Sequence, residues 1–75
     1  MSALEQVAVE PETLNRKQAA RLLNVSLATL DRMHVGGRMP AALRLGACVR
    51  WTRTELVAWL AAGCPDRNSW ERRRR

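Results

Sequence analysis

The segment from Leu14 to Gly37 constrains the fold of this chain most strongly, because it carries the signals of two short helices joined by a tight turn. Asn15 stands where a helix N-cap belongs, and Gln18 follows three residues later, which is the spacing of a capping box. Apolar residues then recur at helical spacing, so one face of the predicted helix is apolar. Asn24 is expected to end the helix, because asparagine tolerates a left-handed backbone.

A second helix is predicted directly after the turn. Ser26 caps it, Leu30 and Met33 lie on its buried side, and Gly36-Gly37 ends it. Ala20 is small enough to let the second helix cross closely over the first. Two helices joined this tightly form a helix-turn-helix, which usually places its second helix in a DNA major groove. Because paired helices also occur in proteins that never contact nucleic acid, the pattern alone does not establish a function.

Charge favours the nucleic-acid interpretation. The chain has a net charge of +6 and a pI near 11.3, and eight of its thirteen basic residues lie between residues 15 and 63. Such a balance on a small domain is expected of a phosphate binder. Between residues 15 and 63 the basic side chains are Arg16, Lys17, Arg21, Arg32, Arg38, Arg44, Arg50 and Arg53, against the acids Asp31 and Glu55.

The length of 75 residues leaves room for one domain with a thin core, since such chains bury only about 60% of their unfolded surface. No nucleophile with a base at plausible spacing, metal-ligand cluster or glycine-rich phosphate loop is recognisable, so we expect no catalysis, no metal and no cofactor. Cys48 and Cys64 lack zinc spacing and are interpreted as reduced thiols, with a disulfide as the less favoured alternative. Without a membrane-length apolar run or a signal-peptide pattern, a cytoplasmic protein is expected.

Charge and periodicity divide the chain into three parts. Residues 1–13 contain three acids and no base, and are predicted to form a flexible acidic arm. Residues 14–63 form the predicted DNA-binding domain. Residues 64–75 lack periodicity and end in Arg72–Arg75, so a basic, disordered tail of the kind that contacts nucleic acid is predicted.

The predicted recognition helix should present to DNA the side opposite its buried residues. Leu27 and Ala28 could contact thymine methyl groups there, and Arg32 could reach a guanine edge or a phosphate. Asp31 either accepts a hydrogen bond from a cytosine amino group or pairs with a nearby arginine. His34, near the end of this helix, is interpreted as a solvated or capping histidine rather than a ligand.

The start of the first helix offers a second anion-binding position. Arg16 and Lys17 lie where orphan N–H groups and the helix dipole favour a phosphate. Arg21, on the same helix, is interpreted as an ordinary solvated side chain.

A β-hairpin is predicted from Leu43 to Trp51, around Gly46. A two-residue loop would place Leu45 opposite Cys48 and mix apolar and charged groups on both faces. A three-residue loop would instead gather four apolar side chains on one face, and we let this burial outweigh the less favourable turn chemistry. The preferred register pairs Leu45 with Val49, Arg44 with Arg50, and Leu43 with Trp51.

That register has an electrostatic consequence. Directly opposed Arg44 and Arg50 would repel each other by about 0.2–1 kcal/mol. A DNA phosphate between them would offset the repulsion, whereas the alternative is that both side chains splay into water.

A third helix is predicted to begin after Thr52, with Glu55 completing a capping box. Gly63 and Pro65 stop it. Trp51 lies on the apolar face of its strand, so we assign it to the core rather than to base stacking. The inner stripe of the helix is Leu56, Trp59 and Leu60.

Four segments carry a family resemblance: LNRKQAARLLNVS, TLDRM, GRMP and RLGACVRWTRTELVAWL, which together span about Leu14 to Ala62. They resemble the AlpA and excisionase group of small winged helix-turn-helix proteins, distant relatives of the MerR DNA-binding domain. The resemblance implies a recognition helix in the major groove and a hairpin wing over the adjacent minor groove or backbone. It also implies a bacterial or phage mobile-element role, as an excisionase (recombination directionality factor) or as a regulator of integrase transcription.

The resemblance places Ser26, Ala28 and Arg32 against the groove and makes Arg44 and Arg50 wing contacts. The sequence departs from the group's pattern at its acidic residue within the recognition helix and in a short wing loop without an arginine. The resemblance also admits an integrase or recombinase as a protein partner, and self-association on DNA.

The sequence therefore predicts a mainly α winged helix-turn-helix, with three helices and a two-stranded hairpin wing between the second and third. Its expected function is sequence-specific binding of double-stranded DNA without catalysis, and the alternative is a module that docks its basic face on an acidic partner such as an integrase. The candidate DNA-binding residues are Arg16, Lys17, Ser26, Leu27, Ala28, Arg32, Arg38, Arg44, Arg50 and Arg53.

Overall fold

The computed structural model describes residues 12–74. The mainly helical winged helix-turn-helix predicted from the sequence is confirmed, with one more helix and one more strand than expected. The predicted acidic arm falls outside the described residues except for Glu12 and Thr13. The elements are β1 (Thr13–Leu14), α1 (Arg16–Leu23), α2 (Leu27–Val35), β2 (Leu43–Leu45), β3 (Cys48–Thr52), α3 (Arg53–Ala61) and α4 (Arg67–Arg74).

The predicted capping signals fix α1. The Asn15 side chain accepts a hydrogen bond from the Gln18 backbone N–H at 2.8 Å, and Gln18 Oε1 accepts one from the Asn15 N–H at 2.9 Å. Asn24 adopts the predicted left-handed backbone, with φ of 58°. Because these contacts lie within a few residues along the chain, the sequence alone indicates both ends of the helix.

The same local chemistry bounds α2 and α3. Ser26 Oγ accepts a hydrogen bond from Thr29 N–H, and Thr52 Oγ1 accepts one from Glu55 N–H. The C-cap of α2 is Gly36, as predicted. Each helix of the motif and the helix after the hairpin therefore begins at its predicted cap.

The core lies where α1, α2, α3 and the sheet meet. Leu30 and Trp51 are completely buried and Trp59 is 1% exposed, which confirms the two tryptophans as core residues. Each of the two indoles also donates its N–H to a backbone carbonyl, so burial leaves no unsatisfied donor on either ring. The prediction that Leu60 belongs to the inner stripe is wrong, because this side chain is 39% exposed.

The sheet has three antiparallel strands in the order β1-β3-β2. Strand β1 pairs Thr13 with Thr52 and Leu14 with Trp51. Strand β1 is not predictable from the sequence, because two residues are too few to show the period of a strand. Its pairing sets the beginning of the helix-turn-helix directly beside the hairpin.

The predicted register of the hairpin is wrong. The loop contains only Gly46 and Ala47, so that Leu45 pairs with Cys48 and the partners of the other β2 residues shift by one. Gly46 has φ of 66°, and a glycine with positive φ at the first position of a two-residue loop is typical of a type II′ turn. The burial that favoured the longer loop does not occur, since Leu43 and Leu45 are 43% and 52% exposed.

The predicted disorder of the C-terminal tail is also wrong, because residues 67–74 form α4. Asp66 Oδ1 accepts a hydrogen bond from Ser69 N–H at 2.8 Å, and the hydrogen bonds from Ser69 hold the pKa of Asp66 below its ordinary value. Trp70 is 8% exposed and donates its indole N–H to Glu55 Oε2 at 2.9 Å. Trp70 is the only apolar residue of this helix, which is why the sequence shows no apolar period there.

Candidate nucleic-acid interface

The exposed surface of α2 is a narrow stripe opposite the completely buried Leu30. It consists of Ala28, Arg32 and Val35, which follow one another at helical spacing. Val35 is 84% exposed, an unusual exposure for a valine, and it is not among the residues predicted from the sequence to bind DNA. The expected exposed position of Leu27 is wrong, since this residue is half-buried and packs against the core.

An ion pair joins the beginning of α1 to the middle of α2. Arg16 donates from Nε to Asp31 Oδ1 at 3.0 Å and from Nη2 to Asp31 Oδ2 at 2.7 Å. The hydrogen bond lowers the pKa of Asp31 and raises the pKa of Arg16, and the attraction of the opposite charges acts in the same direction. Of the two roles considered for Asp31, the structure shows the pairing with a nearby arginine.

This ion pair changes how Arg16 can take part in an interface. A guanidinium held at two nitrogens has its plane fixed, and its remaining nitrogen, Nη1, points along a defined direction. Lys17, the next residue of α1, has an exposed side chain beside it. The two cations thus differ, since Arg16 is oriented by Asp31 and Lys17 lies at the surface.

A second polar chain runs along α2 from its N-cap. Ser26 Oγ lies 2.9 Å from Thr29 Oγ1, and Arg32 Nη2 donates to the same Thr29 oxygen at 3.3 Å. Thr29 therefore links the cap to the cationic residue of the exposed stripe, a role that its sequence position did not suggest. The Ser26 hydroxyl, predicted to face DNA, is engaged in the cap of α2.

The hairpin separates its two arginines. Arg44 pairs with Val49 and Arg50 pairs with Leu43, and directly paired residues of an antiparallel ladder share a face. Because side chains alternate along a strand, Arg44 and Arg50 lie on opposite faces. The predicted facing pair of arginines, its repulsion and the phosphate between them are therefore wrong. Arg44 is exposed, whereas Arg50 is half-buried and donates to the carbonyl of Val49 at 2.8 Å.

The other two basic candidates, Arg38 and Arg53, differ in exposure. Arg38, just beyond α2, is exposed, whereas Arg53 at the start of α3 is half-buried. The backbone N–H of Arg53 donates to the Glu12 carbonyl at 2.9 Å, which ties the beginning of α3 to the chain entering β1.

His34 occupies the junction of α2 with the sheet. Its ring meets Trp51 edge to face, with 5.2 Å between the ring centroids, and the buried Nδ1 has no hydrogen-bond partner among the described residues. Burial of the ring lowers the pKa of His34, and the Arg67 guanidinium lowers it further. The interpretation of His34 as a solvated or capping residue is therefore wrong.

Within residues 12–74, no group of three or more His, Cys, Asp or Glu side chains could hold a metal ion, and no helix is long and apolar enough to cross a membrane. Cys48 and Cys64 are free, exposed thiols, in agreement with the favoured interpretation.

Comparison with known families identifies the motif independently of the geometry. The family model described as a helix-turn-helix domain matches residues 13–64, from β1 to the turn after α3. The helix α4 lies beyond the matched region. A search of curated proteins finds no significant match to the chain.

Proposed function

Since the chain belongs to the helix-turn-helix domain family, we propose that it binds double-stranded DNA sequence-specifically, with α2 in the major groove. The observation that carries this proposal is the two-sided character of α2, in which Leu30 is completely buried while Ala28, Arg32 and Val35 form a stripe open to solvent. A helix exposed along one side and anchored along the other has the form needed to enter the groove.

The residues of this surface have different roles in the proposal. Arg32 reaches a guanine edge, for which its guanidinium provides two parallel donors. Ala28 and Val35 present apolar surface to thymine methyl groups. Lys17, and Arg16 through its free Nη1, neutralise phosphates beside the groove.

The wing contributes through one arginine rather than two. Arg44 is exposed on β2 and contacts the DNA backbone. Arg50 lies on the other face with a donor engaged by the Val49 carbonyl, so its contribution is smaller. The exposed Arg38 lies between the recognition helix and the wing and adds a further backbone contact.

At the finer level, the proposed role is that of an excisionase or an AlpA-like transcriptional regulator of a bacterial or phage mobile element. The helix-turn-helix domain family includes excisionase-like proteins, which supports this assignment. Both roles require sequence-specific DNA binding without catalysis, and an integrase would be the protein partner of the first. Self-association on neighbouring sites would serve either.

The test begins by selecting a binding site from random duplexes and titrating the protein against that site and a scrambled duplex at several salt concentrations. We expect Arg32→Ala to narrow the difference between the two affinities, because each bidentate base contact supplies about 1–3 kcal/mol of discrimination. We expect Arg44→Ala to weaken both affinities together and to reduce the slope of log K against log salt by about 0.9, the value for one phosphate contact.

Arg21→Ala is the matched control, since it removes the same charge from an exposed helical position outside the proposed stripe. It should leave the affinity ratio of the selected and scrambled duplexes unchanged. Failure to select any sequence would contradict the proposal. In that case, binding of an acidic integrase by the wild-type protein that weakens in Arg32→Ala and Arg44→Ala would support the protein-docking alternative.

A further inference from the structure

We propose that Arg67, in the helix outside the region matched by the family model, is a positioning residue that fixes the C-terminal end of the recognition helix. This inference rests on the proposed DNA-binding function but concerns a residue whose side chain is turned into the protein. Three hydrogen bonds carry it. Arg67 donates from Nε to the Met39 carbonyl at 3.0 Å, from Nη2 to the His34 carbonyl at 2.9 Å, and from its backbone N to the Gly37 carbonyl at 2.9 Å.

These three acceptors belong to one short segment, residues 34–39, in which α2 ends and the chain turns towards the hairpin. The last carbonyls of a helix carry the negative end of its dipole and lack the regular intrahelical partners. A half-buried guanidinium is matched to such a position, because it delivers several donors in a fixed plane and remains charged. Arg67 therefore holds the end of α2 and the following turn as one unit.

Helix α4 is itself anchored by a second contact, to α3. Trp70 is 8% exposed and donates to Glu55 in the first turn of α3, the helix that begins directly after the last strand of the wing. The path from Arg67 to Trp70 thus connects the end of the recognition helix with the base of the wing. In this arrangement, α4 sets the position of the recognition helix relative to the wing.

The two ends of α2 are held by different contacts. The N-terminal half is fixed by the Ser26 cap and by the ion pair between Asp31 and Arg16. The C-terminal end carries the exposed Val35, and Arg38 follows it. Loss of the Arg67 contacts should therefore loosen the C-terminal end of the DNA-facing surface and leave Ala28 and Arg32 in place.

The experiment compares full-length Arg67→Ala with Arg73→Ala, a matched loss of charge at an exposed position of the same helix. Each variant is titrated against the selected duplex, the scrambled duplex, and duplexes with single base-pair changes across the site, at several salt concentrations. We expect Arg67→Ala to reduce the affinity ratio of selected to scrambled DNA by roughly 5-fold or more, the lower end of typical coupling between sites. The loss should be confined to base pairs at one end of the site, and the salt slope should not change.

Two results would overturn the inference. One is an affinity ratio equal to that of Arg73→Ala in a folded Arg67→Ala variant. The other is a reduced salt slope with an unchanged ratio, which would show that Arg67 contacts phosphate directly. If Arg67→Ala does not fold, Arg67→Lys takes its place in the same titrations, because lysine keeps the charge but not the planar array of donors. A folded lysine variant with the wild-type ratio would also refute the positioning role.

Hydrogen exchange of the free protein separates this inference from the proposed function. If Arg67 holds the end of the recognition helix, exchange of the backbone amides of residues 35–38 should accelerate in the folded Arg67 variants and not in Arg73→Ala, with or without DNA. Faster exchange in a protein that selects no DNA would refute the proposed function alone. Unchanged exchange in a protein that binds DNA would refute the role of Arg67 alone.

Discussion

The helix pair α1–α2 and the segments that follow it, the hairpin and α4, are built on different principles. In the helix pair, each helix begins at an N-cap whose side chain accepts a hydrogen bond from the backbone N–H three residues later. Asn24 ends the first helix with a left-handed backbone. In the hairpin and α4, the deciding contacts join distant residues, such as Trp70 with Glu55 and Arg67 with the carbonyl of His34. Because its contacts are local, the helix-turn-helix can be predicted from the sequence. Contacts between distant residues determine how the motif is positioned relative to the rest of the domain.

The two regions also differ in how they hold their charges. The carboxylate of Asp31 orients Arg16 within the helix pair. The hairpin instead places Arg44 and Arg50 on opposite faces. An ion pair therefore orients a cationic side chain on the surface of the helix pair, whereas the alternation of side chains along the strands separates the two arginines of the wing.

The largest effect is expected where the helix pair meets the core. Leu30→Ala removes a completely buried side chain and should lower the free energy of unfolding by about 2–5 kcal/mol, comparable to the entire stability of many small domains. Urea denaturation followed by circular dichroism measures the change. Leu45→Ala in the hairpin is the control, because its 52% exposure predicts a change within about 0.5 kcal/mol. Equal losses in both variants would contradict this difference between the regions.

An intermediate effect is expected at the turn of the hairpin. Gly46→Ala places a side chain at φ of 66° and should cost about 1–2 kcal/mol, although open space surrounds the position. Thermal unfolding of Gly46→Ala is compared with that of Ala47→Ser, a change in the same loop at a position without a positive φ. The difference between the two variants measures the cost of placing a side chain on a left-handed backbone. A cost for Ala47→Ser equal to that of Gly46→Ala would argue against the two-residue loop.

The smallest effect concerns the junction between the two regions, at His34. Its pKa in the folded protein lies below the ordinary value of 6.5, so the unfolded chain binds more protons between the folded pKa and 6.5. The contribution of neutral His34 to the free energy of unfolding is therefore complete above pH 6.5. It is lost as the pH falls from 6.5 through the folded pKa. Urea denaturation between pH 7.5 and 5 should reveal the decline.

His34→Phe provides the control for this pH effect, because it keeps an aromatic ring beside Trp51 and removes the only histidine of the chain. The decline in stability between pH 6.5 and 5 should become smaller in this variant. An identical decline would assign the effect to other groups.

The hairpin shows that the sequence does not specify which face of a strand pair is buried. The longer loop was preferred because it would bury four apolar side chains together, yet Leu43 and Leu45 remain substantially exposed. Gly46 already indicated the shorter loop through its turn chemistry. The local preference of the turn was the better guide, because whether a face is covered depends on elements elsewhere in the chain.

The candidate site divides in the same way. The exposure of Ala28 and Arg32 could be read from helical spacing once Leu30 was placed in the core. Val35 was missed because its exposure depends on how the end of α2 meets the domain. The sequence leaves the partner of Asp31 open, because Asp31 and Arg16 are fifteen positions apart in the chain and only the crossing of the two helices brings them together.

The sequence by itself determined the helix-turn-helix, because its caps, its terminating residues and its apolar spacing act within a few positions along the chain. Only the tertiary structure decided which faces are covered, that the arginine-rich C-terminus forms a helix, and that Arg67 joins this helix to the end of α2. The physical reason is distance along the chain. Burial of Trp70 and desolvation of Arg67 depend on surfaces that exist only after the other elements have packed, and no local pattern specifies them.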